Sequence, residues 1–147
     1  MPHAARLLTE LDDDDDTAGL LFVHFPIGDG GTRSNEDVLQ FCIGLCDRIC
    51  RGEVLYVHCW GGHGRTGTIV AILLGLLYDM TAAQALEYTQ MSHLQRRVQP
   101  WVGSPETSAQ RVQVEAVIAA GQTRRLGPPA KEDAEGDRGM ERRGAGE

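Results

Sequence analysis

Two short apolar runs most strongly limit the folds open to this chain. Residues 20–25 (LLFVHF) and 54–58 (VLYVH) are rich in strand-forming residues, and each is followed by turn-forming residues, so both are predicted as buried strands. Between them, residues 36–51 carry apolar side chains at helical spacing, with Ser34 and Asn35 as candidate caps. A strand, a helix and a second strand with a crossover of this length predict a parallel βαβ unit.

The predicted fold class is therefore α/β, with a small parallel-containing sheet flanked by helices. In a parallel unit the loops after both strands leave the sheet at the same edge, where open α/β folds bind ligands. The loop that holds Asp29 and the loop that begins at Cys59 should then face one cleft. Three further helices are predicted over about residues 66–79, 82–90 and 105–120, the last two capped by Thr81 and Ser104.

The chain length of 147 residues fits one domain. The formal net charge of −7 comes largely from the aspartate run at 12–16, so residues 1–19 are predicted to be a flexible acidic arm. Residues 20–120 form the predicted domain, and the Gly, Pro and charge composition of residues 121–147 predicts a disordered tail. The absence of a basic patch argues against binding to nucleic acid or to an anionic membrane.

Targeting signals and cysteine spacing both bear on the cellular compartment of the protein. The first ten residues lack the apolar core of a signal peptide, and the longest apolar stretch, residues 69–78, is too short for a membrane span. These features predict a cytoplasmic protein, with the nucleus as the other option. Cys42, Cys46 and Cys50 recur every four residues on a predicted helix, a pattern that favours buried apolar positions over a disulfide scaffold or a metal site.

The glycine-rich stretch at residues 58–67 (HCWGGHGRTG) joins the second predicted strand to the next helix. Its glycines allow the backbone to curl so that successive N–H groups point inward, which forms a nest for a phosphate dianion. The positive end of the following helix points at the same place. The same dipoles favour a thiolate at Cys59, since comparable sites lower a cysteine pKa from ~8.5 to roughly 3.5–7.5. The planar fork of Arg65 fits two phosphate oxygens.

This loop resembles the His-Cys-five-residues-Arg-Thr-Gly signature of the protein tyrosine and dual-specificity phosphatase superfamily. The resemblance covers roughly residues 20–120 and implies a phosphotyrosine protein phosphatase II-like fold, here abbreviated at the N-terminus. It implies hydrolysis of phosphomonoesters through a phospho-cysteine intermediate. No metal or organic cofactor is expected, because the loop and Arg65 would supply the electrostatic stabilisation.

The resemblance also implies a role for each matching position. Cys59 would attack phosphorus, Arg65 would hold the phosphate, and Asp29 would act as general acid and then as base. Thr66 would hydrogen-bond the Cys59 sulfur, and Gln110 matches a segment that positions the hydrolytic water in many relatives. His58 would orient the loop through backbone contacts. The remaining phosphate-binding positions of the loop are Trp60, Gly61, Gly62, His63 and Gly64.

Other interpretations of the loop fit less well. A nucleotide-binding P-loop needs glycine at Cys59 and lysine at Arg65. A zinc site built from His58, Cys59 and His63 lacks a fourth ligand, and neighbouring residues of a strand point in opposite directions. A structural turn with an incidental thiol leaves the arginine at its fixed offset unexplained.

The weaker assignments keep their alternatives open. An aspartate between glycines, such as Asp29, is usually a turn former, and Gln110 could be an ordinary helix-surface glutamine. His63 could simply fill a turn. Arg96 and Arg97 fit a solvated helix end better than a substrate contact.

Two strands alone cannot make a stable two-sided sheet. Three explanations are open: residues 1–9 supply a further strand, another chain covers the exposed edge of the sheet, or the domain is an abbreviated form. The exposed edge would then be available to a partner or to self-association. In the superfamily that the loop resembles, phosphatases of inositol lipids tend to carry lysines within the loop, and this loop has none. The resemblance therefore implies a phosphorylated protein, on tyrosine or serine/threonine, rather than an inositol lipid as substrate. The competing hypothesis is a catalytically weak or inactive phospho-binding module. A third hypothesis is arsenate reduction or sulfur transfer at the same cysteine.

Overall fold

A computed structural model of the protein describes residues 20–97 and 101–126, and the structural statements below concern those residues. The proposed acidic arm, most of the proposed tail and the suggested extra strand in residues 1–9 lie outside this part. None of the described helices has the length and apolar character needed to cross a membrane. The helices are α1 (Asn35–Cys50), α2 (Gly64–Tyr78), α3 (Ala82–Leu94) and α4 (Ser108–Leu126).

The described residues contain no β-strand, so the predicted parallel sheet and the α/β class are wrong for this part of the chain. No backbone hydrogen bond joins residues 20–25 to residues 54–58. Val54 and Tyr56 are 98% and 87% exposed, whereas the alternate residue Val57 packs against the helices. The apolar runs therefore cover a helical core with one face only. A strand needs a neighbouring backbone as its partner, and the described residues supply none.

The first and third helices begin where the sequence predicts, because their caps are local features. The side chain of Ser34 accepts a hydrogen bond from the backbone N–H of Asp37 at 3.1 Å and is confirmed as the N-cap of α1. Thr81 and Gln84 form a reciprocal capping box at the start of α3, so Thr81 is also confirmed as a cap. Helix α3 continues to Leu94, four residues beyond the predicted end.

Helix α2 is the centre of the domain and contacts the other three helices. It is apolar on nearly all sides, as expected for a helix enclosed by neighbours. Its N-terminus emerges directly from the glycine-rich loop, so the packing of α2 fixes the position of that loop. The buried apolar residues of α2 are Ile69, Ala71, Ile72, Leu73 and Leu76.

The predicted start of α4 is wrong. Ser104 does not cap this helix, which begins at Ser108, where the Thr107 hydroxyl accepts from the backbone N–H of Gln110 at 3.3 Å. The hydroxyl of Ser104 instead donates to the backbone carbonyl of His63 at 3.0 Å. The segment before α4 is therefore bound to the glycine-rich loop, a long-range contact that the local Ser-Pro-Glu pattern does not reveal.

Candidate active site

The glycine-rich loop curls around the sulfur of Cys59. Gly62 has a φ of +69°, a conformation that L side chains rarely adopt, and its backbone N–H donates to Cys59 Sγ at 3.2 Å. Helix α2 starts two residues later at Gly64, so its unpaired N–H groups and positive dipole end lie next to the loop. The local geometry is that of an anion site with a thiol at its base.

The protonation of Cys59 reflects opposing influences. Partial burial by itself raises the pKa of the thiol, but hydrogen bonds from the side chain and backbone of Thr66 and from Gly62, with the charge of Arg65, lower it further than burial raises it. The net pKa of Cys59 therefore lies below its ordinary value. Burial instead raises the pKa of Cys42 well above its usual range. Of these two thiols, Cys59 is the one suited to nucleophilic chemistry.

Thr66 faces the sulfur from the first turn of α2. Its hydroxyl oxygen is buried and, among the described residues, has no hydrogen-bond partner of regular geometry. The interaction of this hydroxyl with the Cys59 sulfur is one of the causes that lower the pKa of the thiol. A full negative charge on the sulfur would strengthen that contact, because charge-assisted hydrogen bonds are the stronger kind.

Asp29 and Arg65 meet although they lie 36 positions apart. Arg65 Nη2 donates to Asp29 Oδ1 at 2.8 Å, and Arg65 Nη1 donates to the carbonyl of Ile27 at 3.3 Å. The Arg65 side chain is 23% exposed and that of Asp29 is 92% exposed. The predicted acid therefore lies beside the predicted phosphate clamp, at the open side of the site.

Gln110 is almost completely buried, with 1% exposure, and is not a helix-surface residue. Its side-chain oxygen accepts from the backbone N–H groups of Glu106 and Thr107, both at 3.1 Å. Its side-chain nitrogen donates to the carbonyl of Gly31 at 3.2 Å. A Cβ atom on Gly64 would lie 2.7 Å from the Gln110 side-chain oxygen. Gln110 therefore joins the loop that carries Asp29 to the start of α2.

The other predicted loop residues point in different directions. The indole of Trp60 is 97% exposed at the rim of the loop. The ring of His58 is exposed and stacks on Tyr56, with ring centroids 5.2 Å apart. His63 is buried, and its Nδ1 atom lies 3.2 Å from Nε2 of His93. His63 thus packs against His93 of α3.

Comparison with protein-family models shows to which protein family the chain belongs. The family model described as "PTP-SAK: Swiss Army Knife protein, DSP-PTPase phosphatase domain" matches residues 11–118, which is well over half of the chain. The chain belongs to the PTP-SAK family. Membership confirms the resemblance to the tyrosine and dual-specificity phosphatase superfamily.

The curated relatives of this PTP-SAK domain match about half of the chain. It is 37% identical over 79 residues to "Putative tyrosine phosphatase 067L" of Invertebrate iridescent virus 3, a match covering 51% of this chain and 33% of that protein. It is 33% identical over 84 residues to "Putative tyrosine phosphatase 197R" of Invertebrate iridescent virus 6, covering 53% and 31%. The chain thus spans about a third of the length of these curated relatives. No solved structure matches it significantly.

Two residues of the PTP-SAK domain contact the loop from outside and were not predicted as site residues. Ser104 binds the carbonyl of His63, and Arg96 binds the carbonyls of Gly61 and Gly62 at 3.2 Å each. Both contacts are made to backbone atoms, which leave no signature in the side-chain sequence. Within residues 20–97 and 101–126, no group of three His, Cys, Asp or Glu side chains could hold a metal ion.

Proposed function

We propose that this protein is a cysteine-dependent phosphatase that hydrolyses phosphomonoesters through a phospho-cysteine at Cys59. The observation that carries the proposal is the convergence of three groups on one sulfur at the N-terminus of α2. These are the N–H of Gly62, the hydroxyl and N–H of Thr66, and the charge of Arg65. Together they hold the pKa of Cys59 below its ordinary value, and the same groups suit a phosphate dianion.

In the first step the Cys59 thiolate attacks phosphorus and forms an S–P bond as the ester P–O bond breaks. Asp29 gives its proton to the departing oxygen. In the second step water attacks phosphorus, the S–P bond breaks, and Asp29 takes a proton from the water. The thiolate returns, stabilised by Thr66. Arg65 and the loop N–H groups hold the equatorial oxygens in both steps.

We infer a phosphorylated protein as the substrate class, with phosphate on tyrosine or on serine and threonine. Two features support this. The loop carries no lysine for a multiply phosphorylated lipid head group, and the exposed indole of Trp60 offers apolar surface beside the phosphate nest. The described cysteines are all free thiols, which favours a reducing compartment such as the cytoplasm or the nucleus.

The Cys59→Ser variant tests this proposal. We expect turnover of p-nitrophenyl phosphate to fall by about a thousandfold or more, because a serine hydroxyl has no comparable anion at neutral pH. Binding of phosphate, measured by calorimetry, should persist because the nest and Arg65 remain. Cys50→Ser is the matched control: its thiol is exposed at the end of α1, and activity should be unchanged.

The pH dependence adds a second readout. Because the pKa of Cys59 is lowered, the thiolate should persist below the usual ~8.5 for cysteine, and turnover should decline as pH falls through that lowered value. Retained turnover in Cys59→Ser would show that another group is the nucleophile. Phosphate binding by the wild type without phosphate release would identify a binding module instead.

A further inference from the structure

Arg96 lies two residues beyond the end of α3 and reaches back across the outside of the glycine-rich loop. Its Nη1 donates to the carbonyl oxygens of Gly61 and Gly62, at 3.2 Å each, and lies 3.4 Å from Nδ1 of His63. Three consecutive loop residues are therefore in contact with one guanidinium. The side chain is exposed, which fits a solvated helix end, but its contacts are specific.

Because of the geometry of the peptide bond, a contact made outside the loop also sets the direction of an N–H group inside it. In a planar trans peptide the C=O and N–H bonds point in opposite directions. The carbonyl of Gly61 points outward to Arg96, and the N–H of the same peptide, which belongs to Gly62, donates to Cys59 Sγ at 3.2 Å. A single peptide group thus separates Arg96 from the sulfur. Holding the Gly62 carbonyl outward likewise directs the His63 N–H to the opposite side.

A second side chain binds the backbone at the point where the loop joins α2. Ser104 is buried and donates to the carbonyl of His63 at 3.0 Å. Arg96 thus holds the carbonyls of Gly61 and Gly62 on the outer side of the loop. The His63 carbonyl is held by Ser104 and by the first hydrogen bond of α2, from the backbone N–H of Gly67 at 3.1 Å. Without these anchors the glycine-rich backbone could rotate its peptide planes at little steric cost, and the inward set of N–H groups would be lost.

The surroundings explain why Arg96 occupies this place. The buried rings of His63 and His93 contact each other edge to face, with centroids 5.0 Å apart. This contact packs the loop against α3, and the Arg96 guanidinium lies next to the His63 ring. The cation also polarises the Gly61–Gly62 peptide and so increases the partial positive charge of the N–H that faces the sulfur.

We propose that Arg96 is a positioning residue for Cys59: it fixes the outward carbonyls of Gly61 and Gly62 so that the loop N–H groups face the sulfur and the phosphate. This inference rests on the proposed role of Cys59 as nucleophile. In this role Arg96 acts on the sulfur through the Gly61–Gly62 peptide group, which lies between them.

The test measures the reactivity of Cys59 with iodoacetamide as a function of pH. A Cys50→Ser background removes the exposed thiol at the end of α1, and peptide mass spectrometry assigns the modified cysteine. For Arg96→Ala we expect the midpoint of the alkylation profile to move upward by about half a pH unit or more. We expect kcat/KM for p-nitrophenyl phosphate to fall about tenfold or more, since misdirected loop N–H groups stabilise the transition state less well.

Three further variants separate positioning from general structural support. Arg97→Ala removes the adjacent exposed arginine and should leave the alkylation profile and kcat/KM unchanged. Arg96→Lys keeps a cationic donor and should restore part of the shift and part of the rate. Arg96→Met keeps an unbranched side chain of similar length without the charge or any N–H donor, and it should show the upward shift even if the alanine variant does not fold.

The outcomes for Arg96 and for Cys59 are distinguishable. An alkylation profile for folded Arg96→Ala, or for Arg96→Met, that superimposes on the parent profile would overturn the positioning role and leave the role of Cys59 intact. An equal shift in Arg97→Ala would also overturn it, because the effect would then be one of general charge. Failure of the proposed function would appear separately, as retained turnover in Cys59→Ser.

Discussion

Asp29 and Arg65 form an ion pair that has to change during the proposed reaction. Arg65 Nη2 holds Asp29 Oδ1 at 2.8 Å, while the carboxylate is 92% exposed. An exposed pair of this kind contributes only about 0–1 kcal/mol, so a phosphate dianion, which offers Arg65 a bidentate partner, can displace it. Displacement would free the carboxylate to take up and transfer the proton. The ion pair is thus a competitor of the substrate for Arg65.

The Asp29→Asn variant should separate these two roles. Removal of the carboxylate frees Arg65 and takes a negative charge away from the site, so vanadate should bind up to about fivefold more tightly. Turnover should fall by about a hundredfold or more on esters with poor leaving groups, and less on p-nitrophenyl phosphate, whose leaving group needs no proton. Calorimetric titration with vanadate and steady-state kinetics on the two esters measure both effects.

Asp37→Asn is a matched control, because Asp37 is also an exposed carboxylate paired with an arginine, Arg33, at 3.4 Å. It lies in the first turn of α1 and should change neither vanadate affinity nor turnover. Unchanged or weaker vanadate binding in Asp29→Asn would refute competition for Arg65. An equal loss of rate on both esters would argue against the acid role.

At the scale of a few residues, sequence and structure agree where the interaction is local. The fixed spacing in the loop brings Cys59, Gly62 and Thr66 together, since a curled loop followed by a helix leaves few alternatives. The loop of Asp29 and the loop of Cys59 were expected to face one cleft because of a parallel sheet. That sheet is absent from the described residues, and the contact of Asp29 with Arg65 was not itself predicted. Arg96 was missed because it binds backbone carbonyls 34 and 35 positions away, and no side-chain pattern encodes such a partner.

Among the helices, the close packing of α4 on α2 depends on a glycine, Gly75. A Cβ atom on Gly75 would lie 2.4 Å from Cδ1 and 2.7 Å from Cγ1 of Ile118, which is itself buried. The glycine is unfavourable for the helix by about 1 kcal/mol relative to alanine. It is tolerated because it lets α4 pack directly on α2, which in turn presents its N-terminus to Cys59.

Gly75→Ala should therefore destabilise the domain despite the better helix propensity of alanine. Overpacking a close interface costs about 1–3 kcal/mol, which exceeds the gain in propensity of about 1 kcal/mol or cancels it at the lower limit. We expect a lower urea midpoint. Adding Ile118→Val, which deletes the Cδ1 atom nearest to the new methyl group, should recover part of the loss in a double-mutant cycle.

Gly44→Ala provides the control on another helix. Gly44 is exposed in the middle of α1, and a Cβ atom there would meet nothing within 4 Å. The substitution should raise stability by up to about 1 kcal/mol through propensity alone. A Gly75→Ala variant that is stabilised as much as Gly44→Ala would show that α2 and α4 are less tightly packed than the structure indicates.

Elements differ in how far sequence can specify them. Helices α1 and α3 were anticipated because the caps at Ser34 and Thr81 are satisfied within four residues. The two strands were predicted but are absent from the described residues, because a β-ladder requires a partner strand and an apolar run shows only that some surface covers it. Here the helices cover one face of residues 54–58 and leave Val54 and Tyr56 exposed.

For the molecule as a whole, that exposed apolar surface is the main unexplained feature. Leu20, Leu21 and Phe22 are 50–68% exposed, and Val54 and Tyr56 are more exposed still. The relatives, of which the chain covers about a third, are considerably longer. Stability measurements can determine whether this surface faces solvent in the folded protein or is covered.

Val54→Lys and Val57→Lys form the matched pair for this question, since they make the same change on opposite faces of one run. Val54 is 98% exposed, so its replacement should alter the free energy of unfolding by no more than about 0.5 kcal/mol. Val57 packs against the core, and burying a charged side chain there should cost about 2 kcal/mol or more, unless the lysine reaches solvent. Urea denaturation of both variants measures the difference. A loss in Val54→Lys as large as that in Val57→Lys would mean that the exposed face is covered in solution, by another part of the protein or by a second molecule.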